Sequence, residues 1–207
     1  MKQRIKKKMK PVLLSIKNYS ARRRLKNRNF TIISDNCWGG QVYQDLGLEY
    51  NTPFVGLFVF SPDYIRLVKD LKYYLSQPLT FTKVSIYKDM DKETREYPIG
   101  LIGDIEIHFL HYKNEEEARK KWNKRLGRIN WNNIFIKFND RDCCTEELLK
   151  EFDELDYDRK IIFTANKHDN LKNYVWYKEY TNAEYVEPEL KSYKSYFDVV
   201  SWLNQDA

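Results

Sequence analysis

The sequence predicts an α/β domain whose mainly parallel sheet carries helices on both faces, in a three-layer, Rossmann-like arrangement that a basic helical arm precedes. Short apolar runs alternate with amphipathic helical patterns, and most apolar runs end in polar residues. Hydrophobic residues make up 42% of the 207 residues, enough for a sizeable core. We therefore divide the chain into an arm, residues 1–28, and a single domain, residues 29–207.

The arm is strongly basic, whereas the rest of the chain is acidic. Residues 1–28 hold 12 of the 36 lysines and arginines and no acid, which leaves 24 bases against 30 acids in the remainder. Pro11 can begin a helix, and the residues after it form an incomplete apolar stripe. Such a helix suits an anionic membrane surface. A solvated extension and a nucleic-acid-binding tail are the alternatives, and the acidic domain makes nucleic acid an unlikely partner.

Composition also bears on where the protein works. No apolar run approaches the roughly 18 residues of a membrane-spanning helix, and no secretory signal is present. The cysteine count is three, and Cys143 and Cys144 are adjacent, so a disulfide framework is not indicated. We expect a cytoplasmic protein that the arm holds peripherally on the inner face of the membrane.

The predicted elements begin with a buried strand at Phe30–Ile33. The nearly continuous apolar run Phe54–Phe60 predicts a second strand, buried on both faces. Ser61-Pro62-Asp63 then predicts a helix start, because serine can cap, proline fits the first turn and aspartate suits the N-terminal dipole. Similar patterns predict helices over residues 115–128, 145–152 and 193–203, and strand segments over 84–87, 99–110, 134–138 and 161–165.

The first candidate site follows the first strand, in the sequence Asp35-Asn36-Cys37-Trp38-Gly39-Gly40. Asp35 could act as a base, and Asn36 with the Gly39-Gly40 backbone could hold substrate hydroxyls or a phosphate. Trp38 could stack on a sugar ring. Cys37 could be a nucleophile only if its thiolate were favoured, so a core role is the simpler interpretation. The alternative is a tight strand-to-helix turn without chemistry.

The second candidate site is the row Asp104, Glu106 and His108, which would share one face of a strand. Two carboxylates and an imidazole could bind a divalent metal, the one cofactor that the sequence suggests, or could form an acid/base set. The alternative is a solvent-facing polar row on an edge strand.

Two further strand ends carry polar residues. Asp140 or Asp142 could be catalytic or could contact substrate, although Asp142 is better placed to cap the helix that begins near Thr145. Lys167 could pair with a phosphate or an acidic sugar. An ordinary polar loop is the alternative at that position.

Several separate motifs occur in an order that resembles a bacterial family known as domain of unknown function 1919. They are the Ser34–Gly40 sequence, Tyr50–Phe58, Tyr97-Pro98-Ile99-Gly100, Asp104–Tyr112 and Trp122-Asn123-Lys124-Arg125, and the resemblance covers about residues 28–180. Members are commonly labelled exopolysaccharide biosynthesis proteins, some of them acetyltransferases or glycosyltransferases. The resemblance implies an α/β fold and a surface-polysaccharide setting, but it supplies no catalytic residues.

We therefore expect a transferase that moves a sugar or an acyl group onto a sugar or glycolipid acceptor at the cytoplasmic membrane face. In this hypothesis Asp35 and the row at Asp104, Glu106 and His108 line one pocket and supply the base or hold a metal. The alternative is a non-catalytic carbohydrate-binding or scaffolding protein of the same pathway.

Overall fold

The computed structural model describes residues 18–88, 96–187 and 189–205, and its strands form two sheets. The strands are β1 (Thr31–Ser34), β2 (Leu79–Thr82), β3 (Ile99–Ile102), β4 (Ile105–His108), β5 (Ile134–Asn139), β6 (Lys160–Thr164) and β7 (Tyr174–Trp176). One sheet has the order β1-β5-β6-β7 and the other has the order β2-β3-β4. Every pairing in the first sheet is parallel, and both pairings in the second are antiparallel.

Helices precede the first strand, connect several of the strands and follow the last one. They are α1 (18–24), α2 (Trp38–Leu46), α3 (Ser61–Lys69), α4 (Leu71–Ser76), α5 (Glu115–Leu126), α6 (Glu146–Asp153), α7 (Glu189–Ser192) and α8 (Val199–Leu203). Two short 3₁₀ turns occur at Lys178–Tyr180 and Tyr193–Ser195. Thr145 caps α6 by accepting a hydrogen bond from the backbone N–H of Leu148, so the capping role predicted for Asp142 is wrong.

The parallel sheet has an apolar cluster on each face, because successive strand residues point to opposite sides. Ile33 and Ile136 join a cluster that includes residues of α3, α4, α5 and α6. Ile32 and Phe135 join a second cluster with residues of α2 and α8. The prediction of an α/β domain with a mainly parallel sheet is confirmed.

The antiparallel sheet was not predicted as a separate unit. The predicted strand segment over 99–110 is a hairpin, because Gly103 turns the chain with a φ of +60° between β3 and β4. β2 pairs with the outer side of β3, while the predicted strand over 84–87 is a turn.

The segment Phe54–Phe60 is not a strand, contrary to the prediction. Its one β-bridge joins Phe58 to His108. Phe54, Leu57 and Val59 are nevertheless buried in the first apolar cluster. The segment is therefore apolar because it is buried in the core, although it does not pair with neighbouring strands as a central strand would.

Residues 18–28, the described part of the predicted arm, pack against the domain. Leu25 is buried, and Arg22 donates a hydrogen bond of 3.0 Å to the carbonyl oxygen of Asp45. Arg24 forms an ion pair with Asp198. Of the predicted apolar stripe, Tyr19 is exposed and Leu25 is buried, while Val12, Leu13 and Ile16 lie outside the described residues. The membrane-surface interaction stays a prediction. Within the described ranges, every helix is too short or too polar to cross a membrane.

Candidate functional site

A buried charged cluster lies at the carboxyl edge of the parallel sheet, where β1 and β5 are neighbours. Lys137 on β5 is fully buried, and its ammonium nitrogen lies 3.0 Å from a carboxylate oxygen of Asp35. The same ammonium forms an ion pair with Glu189. Lys137 pairs with Ser34 at the end of β1, and its side chain therefore lies beside Asp35, the residue after Ser34.

Two amides complete this cluster. Asn139 and Asn36 donate hydrogen bonds of 2.7 and 3.0 Å to the same carboxylate oxygen of Glu189. Helix α7 begins at Glu189 and brings this residue from a distant part of the chain. We call Asp35, Asn36, Lys137, Asn139 and Glu189 the Lys137 cluster.

The electrostatics of the Lys137 cluster differ from those of an exposed ion pair. Burial raises the pKa of Asp35 to about 7, and the nearby carboxylate of Glu189 adds to the rise while the Lys137 ammonium opposes it. Burial also raises the pKa of the Cys37 thiol to about 11, with smaller contributions from Glu189 and Asp35. Asp35 is therefore able to exchange a proton near neutral pH, whereas Cys37 stays a thiol.

A cavity of about 400 Å³ adjoins the Lys137 cluster. Cys37 and Leu190 form part of its wall, and each is close in sequence to a carboxylate of the cluster. Other wall residues come from the loop after α2, from the loop between β4 and α5, and from α5 itself; they include Tyr50, Tyr112, Lys121 and Arg125. We call it the Cys37 cavity. Its place at the carboxyl end of a parallel strand is the usual position of ligand sites in open α/β sheets.

The structure places Asp35 and Asn36 in the cluster, but it assigns Trp38 to the core. Trp38 is fully buried and makes edge-to-face contacts with Phe163 and Tyr193, with ring centroids 5.4 and 5.6 Å apart. The predicted stacking of Trp38 on a sugar ring is therefore wrong, because neither face of its indole reaches solvent.

Gly39 and Gly40 allow helix α2 to approach its neighbours closely. A Cβ added to Gly39 would lie 2.8 Å from the hydroxyl oxygen of Ser34, and one added to Gly40 would lie 3.2 Å from Val55. The backbone N–H of Gly39 donates to the hydroxyl of Ser34, and that of Trp38 donates to the side-chain oxygen of Asn36. The N–H group of Gly39 is therefore occupied within the protein, which corrects its prediction as a phosphate ligand.

Replacing Gly39 by alanine is expected to lower the free energy of unfolding by about 1–3 kcal/mol, because the added methyl group must displace Ser34 or the helix. Urea denaturation monitored by circular dichroism measures the change. Gly127→Ala is the matched control, since the nearest atom to a Cβ there is 3.9 Å away and its φ of −66° suits alanine. Equal stability of the two variants would contradict the packing role of Gly39.

The second candidate site divides into two parts. Glu106 and His108 are buried, and an imidazole nitrogen of His108 lies 2.8 Å from a carboxylate oxygen of Glu106. The ring of Phe58 stacks on His108 at 4.5 Å, and Ser85 donates a hydrogen bond to Glu106. Asp104 lies in the hairpin turn, with 65% of its side chain exposed, and pairs with Arg66.

The metal site predicted at Asp104, Glu106 and His108 is therefore wrong. The turn at Gly103 removes Asp104 from the alternation of β4. Among the residues that the structure describes, no group of three or more histidine, cysteine, aspartate or glutamate side chains is placed to hold a metal ion. Glu106 and His108 also pack among Ser85 and aromatic rings rather than against the Lys137 cluster.

Asp140 and Lys167 have local contacts at other strand ends. Asp140 accepts hydrogen bonds from the backbone N–H groups of Ala165 and Val186, at 2.5 and 3.0 Å, and so joins two loops. Lys167 is exposed and pairs with Asp169 at 2.8 Å. The contacts of Asp140 indicate a structural role, and the substrate contacts that the sequence suggested for Asp140 and Lys167 stay predictions.

Sequence reasoning missed three members of the Lys137 cluster. A lysine inside the apolar run Ile134–Phe138 was a detectable signal, because a strand interior seldom contains an unpaired charge. Asn139 directly follows that run, at the end of the predicted strand. Glu189 carries no local signal, since only the tertiary fold brings it to Lys137.

Comparison with known proteins places the chain in a family. The family model described as "Domain of unknown function (DUF1919)" matches residues 8–204. A curated relative from Haemophilus influenzae, described as "Uncharacterized protein", is 35% identical over 194 residues, which covers 90% of each chain. The likeness thus extends through α1 and the C-terminal helices as well as the sheet.

Proposed function

The chain belongs to the DUF1919 family, and we propose that it is a transferase of bacterial exopolysaccharide or capsule assembly. It moves a sugar or an acyl group onto a sugar or glycolipid acceptor at the cytoplasmic membrane face, where residues 1–28 hold it. The proposal includes a three-layer, Rossmann-like frame for the site, supported by apolar clusters on both faces of the parallel sheet.

The observation that carries this proposal is that Asn36 and Glu189 of the Lys137 cluster directly precede Cys37 and Leu190, which line the Cys37 cavity. Asp35 accepts the proton of the acceptor hydroxyl as that oxygen forms its bond to the transferred carbon and the bond to the leaving group breaks. A carboxyl group whose pKa burial raises to about 7 is suited to this role near neutral pH. Lys137 and Asn36 hold the carboxylates of the cluster in position.

The cavity wall favours direct transfer from donor to acceptor over a mechanism in which Cys37 first accepts the transferred group. Burial raises the pKa of Cys37 to about 11, so the thiol is a poor nucleophile at neutral pH. Asp35 is 2% exposed and is not among the residues that line the cavity. The four-residue helix α7 carries both Glu189 and Leu190, so a displacement of α7 on acceptor binding would open Asp35 to the cavity.

Asp35→Asn is expected to reduce turnover by about a hundredfold or more, because the amide cannot accept the proton. The full chain is incubated with nucleotide-sugar and acyl-coenzyme A donors and lipid-linked sugar acceptors, and products are identified by mass spectrometry. Asp169→Asn, at an exposed carboxylate, is the matched control and should leave turnover unchanged. Unchanged turnover in a folded Asp35→Asn protein would remove Asp35 from the mechanism.

A non-catalytic carbohydrate-binding protein is the second candidate function. The wall of the Cys37 cavity includes Tyr50 and Tyr112, whose rings suit contact with a sugar, while Asp35 is enclosed. Saturable glycan binding without turnover of any activated donor would favour this candidate.

A further inference from the structure

The Cys37 cavity has a one-sided charge. Lys121 and Arg125 line it from adjacent turns of α5, and among the residues that the structure describes no aspartate or glutamate belongs to its wall. The chain beyond residue 28 has 24 bases against 30 acids, so this positive wall stands out in an acidic domain. A cavity with cations on one wall and no acid favours a negatively charged ligand.

Arg125 is the stronger of the two candidate anion contacts. Its guanidinium donates a hydrogen bond of 2.6 Å to the hydroxyl of Tyr112 and lies 5.0 Å from the ring centroid of Tyr50. Both partners are neutral, and across the described part of the chain no carboxylate lies within ion-pair distance of Arg125. Because a guanidinium has five N–H donors in a planar fork, it retains donors for a phosphate or a carboxylate.

Lys121 is the weaker contact because a carboxylate already compensates its charge. Its ammonium lies 2.7 Å from Glu117 and 5.3 Å from the ring centroid of Tyr112. The ion pair between Lys121 and Glu117 is partly exposed on the surface of α5. Ion pairs in such positions add little to the stability of the fold and exchange readily. An incoming anion can therefore compete for Lys121.

We propose that the Cys37 cavity binds a charged sugar. The anionic group of this sugar, which is a phosphate or a carboxylate, contacts Arg125 and secondarily Lys121. This inference rests on the proposed function for the sugar nature of the ligand and adds its charge and orientation. The carboxylates of Asp35 and Glu189 are buried and paired with Lys137, and Cys37 and Leu190 in the cavity wall are close to them in sequence. The anion therefore lies against α5, and the hydroxyl groups of the sugar lie toward the Lys137 cluster.

The test measures binding to the full-length protein by isothermal titration calorimetry with four probes: glucose 1-phosphate, glucuronate, glucose and inorganic phosphate. We expect one charged sugar to bind at least about tenfold more tightly than glucose, with affinity falling as salt is added. Preference for glucose 1-phosphate identifies a phosphate ligand, and preference for glucuronate identifies a carboxylate ligand. Equal affinity for the charged and neutral sugars would overturn the proposal.

Variants on α5 locate the contact. Arg125→Gln is expected to weaken binding of the preferred charged sugar about tenfold and to leave glucose binding unchanged, and Arg125→Lys should restore part of the loss. Lys124→Gln is the matched control, because it removes the same charge from an exposed position of the same helix. If Arg125→Gln fails to fold, Lys121→Gln gives the corresponding measurement with a smaller loss. If Lys124→Gln lowers the affinity for the charged sugar as much as Arg125→Gln, or as Lys121→Gln in its place, a contact in the cavity is refuted.

The outcome is separable from that of the proposed function. Tight, Arg125-dependent binding of a charged sugar without turnover of any donor would support the anion site and reject the transferase. Turnover that requires Asp35 but shows no preference for charged sugars would support the transferase and reject the anion site.

Discussion

Replacing Lys137 by methionine is expected to lower the free energy of unfolding by about 3–5 kcal/mol, the usual cost of removing one partner from a buried ion pair. The Lys137 side chain is fully buried between Asp35 and Glu189, so its loss leaves two carboxylates in the interior without their cation. Methionine has a similar length, and loss of packing therefore contributes less than loss of charge. Urea denaturation at neutral pH measures the change.

Two comparisons separate this effect from a general effect of the substitution. Lys167→Met removes a lysine from an exposed ion pair with Asp169 and should change stability by less than about 1 kcal/mol. The deficit of Lys137→Met should also shrink when the pH is lowered to about 4, because Asp35, whose pKa burial raises to about 7, then carries a proton and one of the two uncompensated charges is removed. A deficit at neutral pH no larger than that of Lys167→Met would show that the cluster is not held together by its charges.

The helices and parallel strands were predictable because their signals are local. The apolar spacing and acidic start of Glu115–Leu126 predict an amphipathic helix, and the structure has one there. Ile134–Asn139 and Lys160–Thr164 read as short apolar runs with polar ends, and both are strands of the parallel sheet. The prediction over 193–203 holds in part, since Asp198 interrupts it and caps α8.

The remaining features depend on pairing between distant residues, which periodicity does not encode. Phe54–Phe60 is as apolar as a central strand, but its neighbours bury it without forming a ladder. The strand pattern over 99–110 contains a turn at Gly103, and only the antiparallel pairing of β3 with β4 reveals it. Asp35 was predicted as a site residue because it follows a strand. Glu189 was not predicted, because only the tertiary fold brings it to Lys137.

The stability of the protein is expected to fall as the pH rises from about 4 to about 7, through the titration of Asp35. In this window the folded state retains a proton on Asp35, whose pKa burial raises from 3.8 to about 7, while the unfolded state loses it. The folded state therefore binds more protons, and the contribution is full below the unfolded pKa and lost as the pH approaches the folded pKa. A shift of about three pKa units corresponds to at most about 4 kcal/mol.

Asp35→Asn isolates this contribution because asparagine does not titrate. The groups that face Asp35 are Lys137 on β5, Glu189 on α7 and Asp142 in the loop after β5, and all of them remain in the variant. Carboxyl groups with a lowered pKa, such as Asp104 and Asp198, act in the opposite direction at lower pH, but they contribute equally to both proteins. The stability of the wild type relative to Asp35→Asn, measured by urea denaturation between about pH 4 and pH 8, should therefore decline through the window and become constant above it. A relative stability that instead rises with pH would mean that Lys137 outweighs burial and holds Asp35 ionised, which would leave the proposed transfer without a base that exchanges protons near neutral pH.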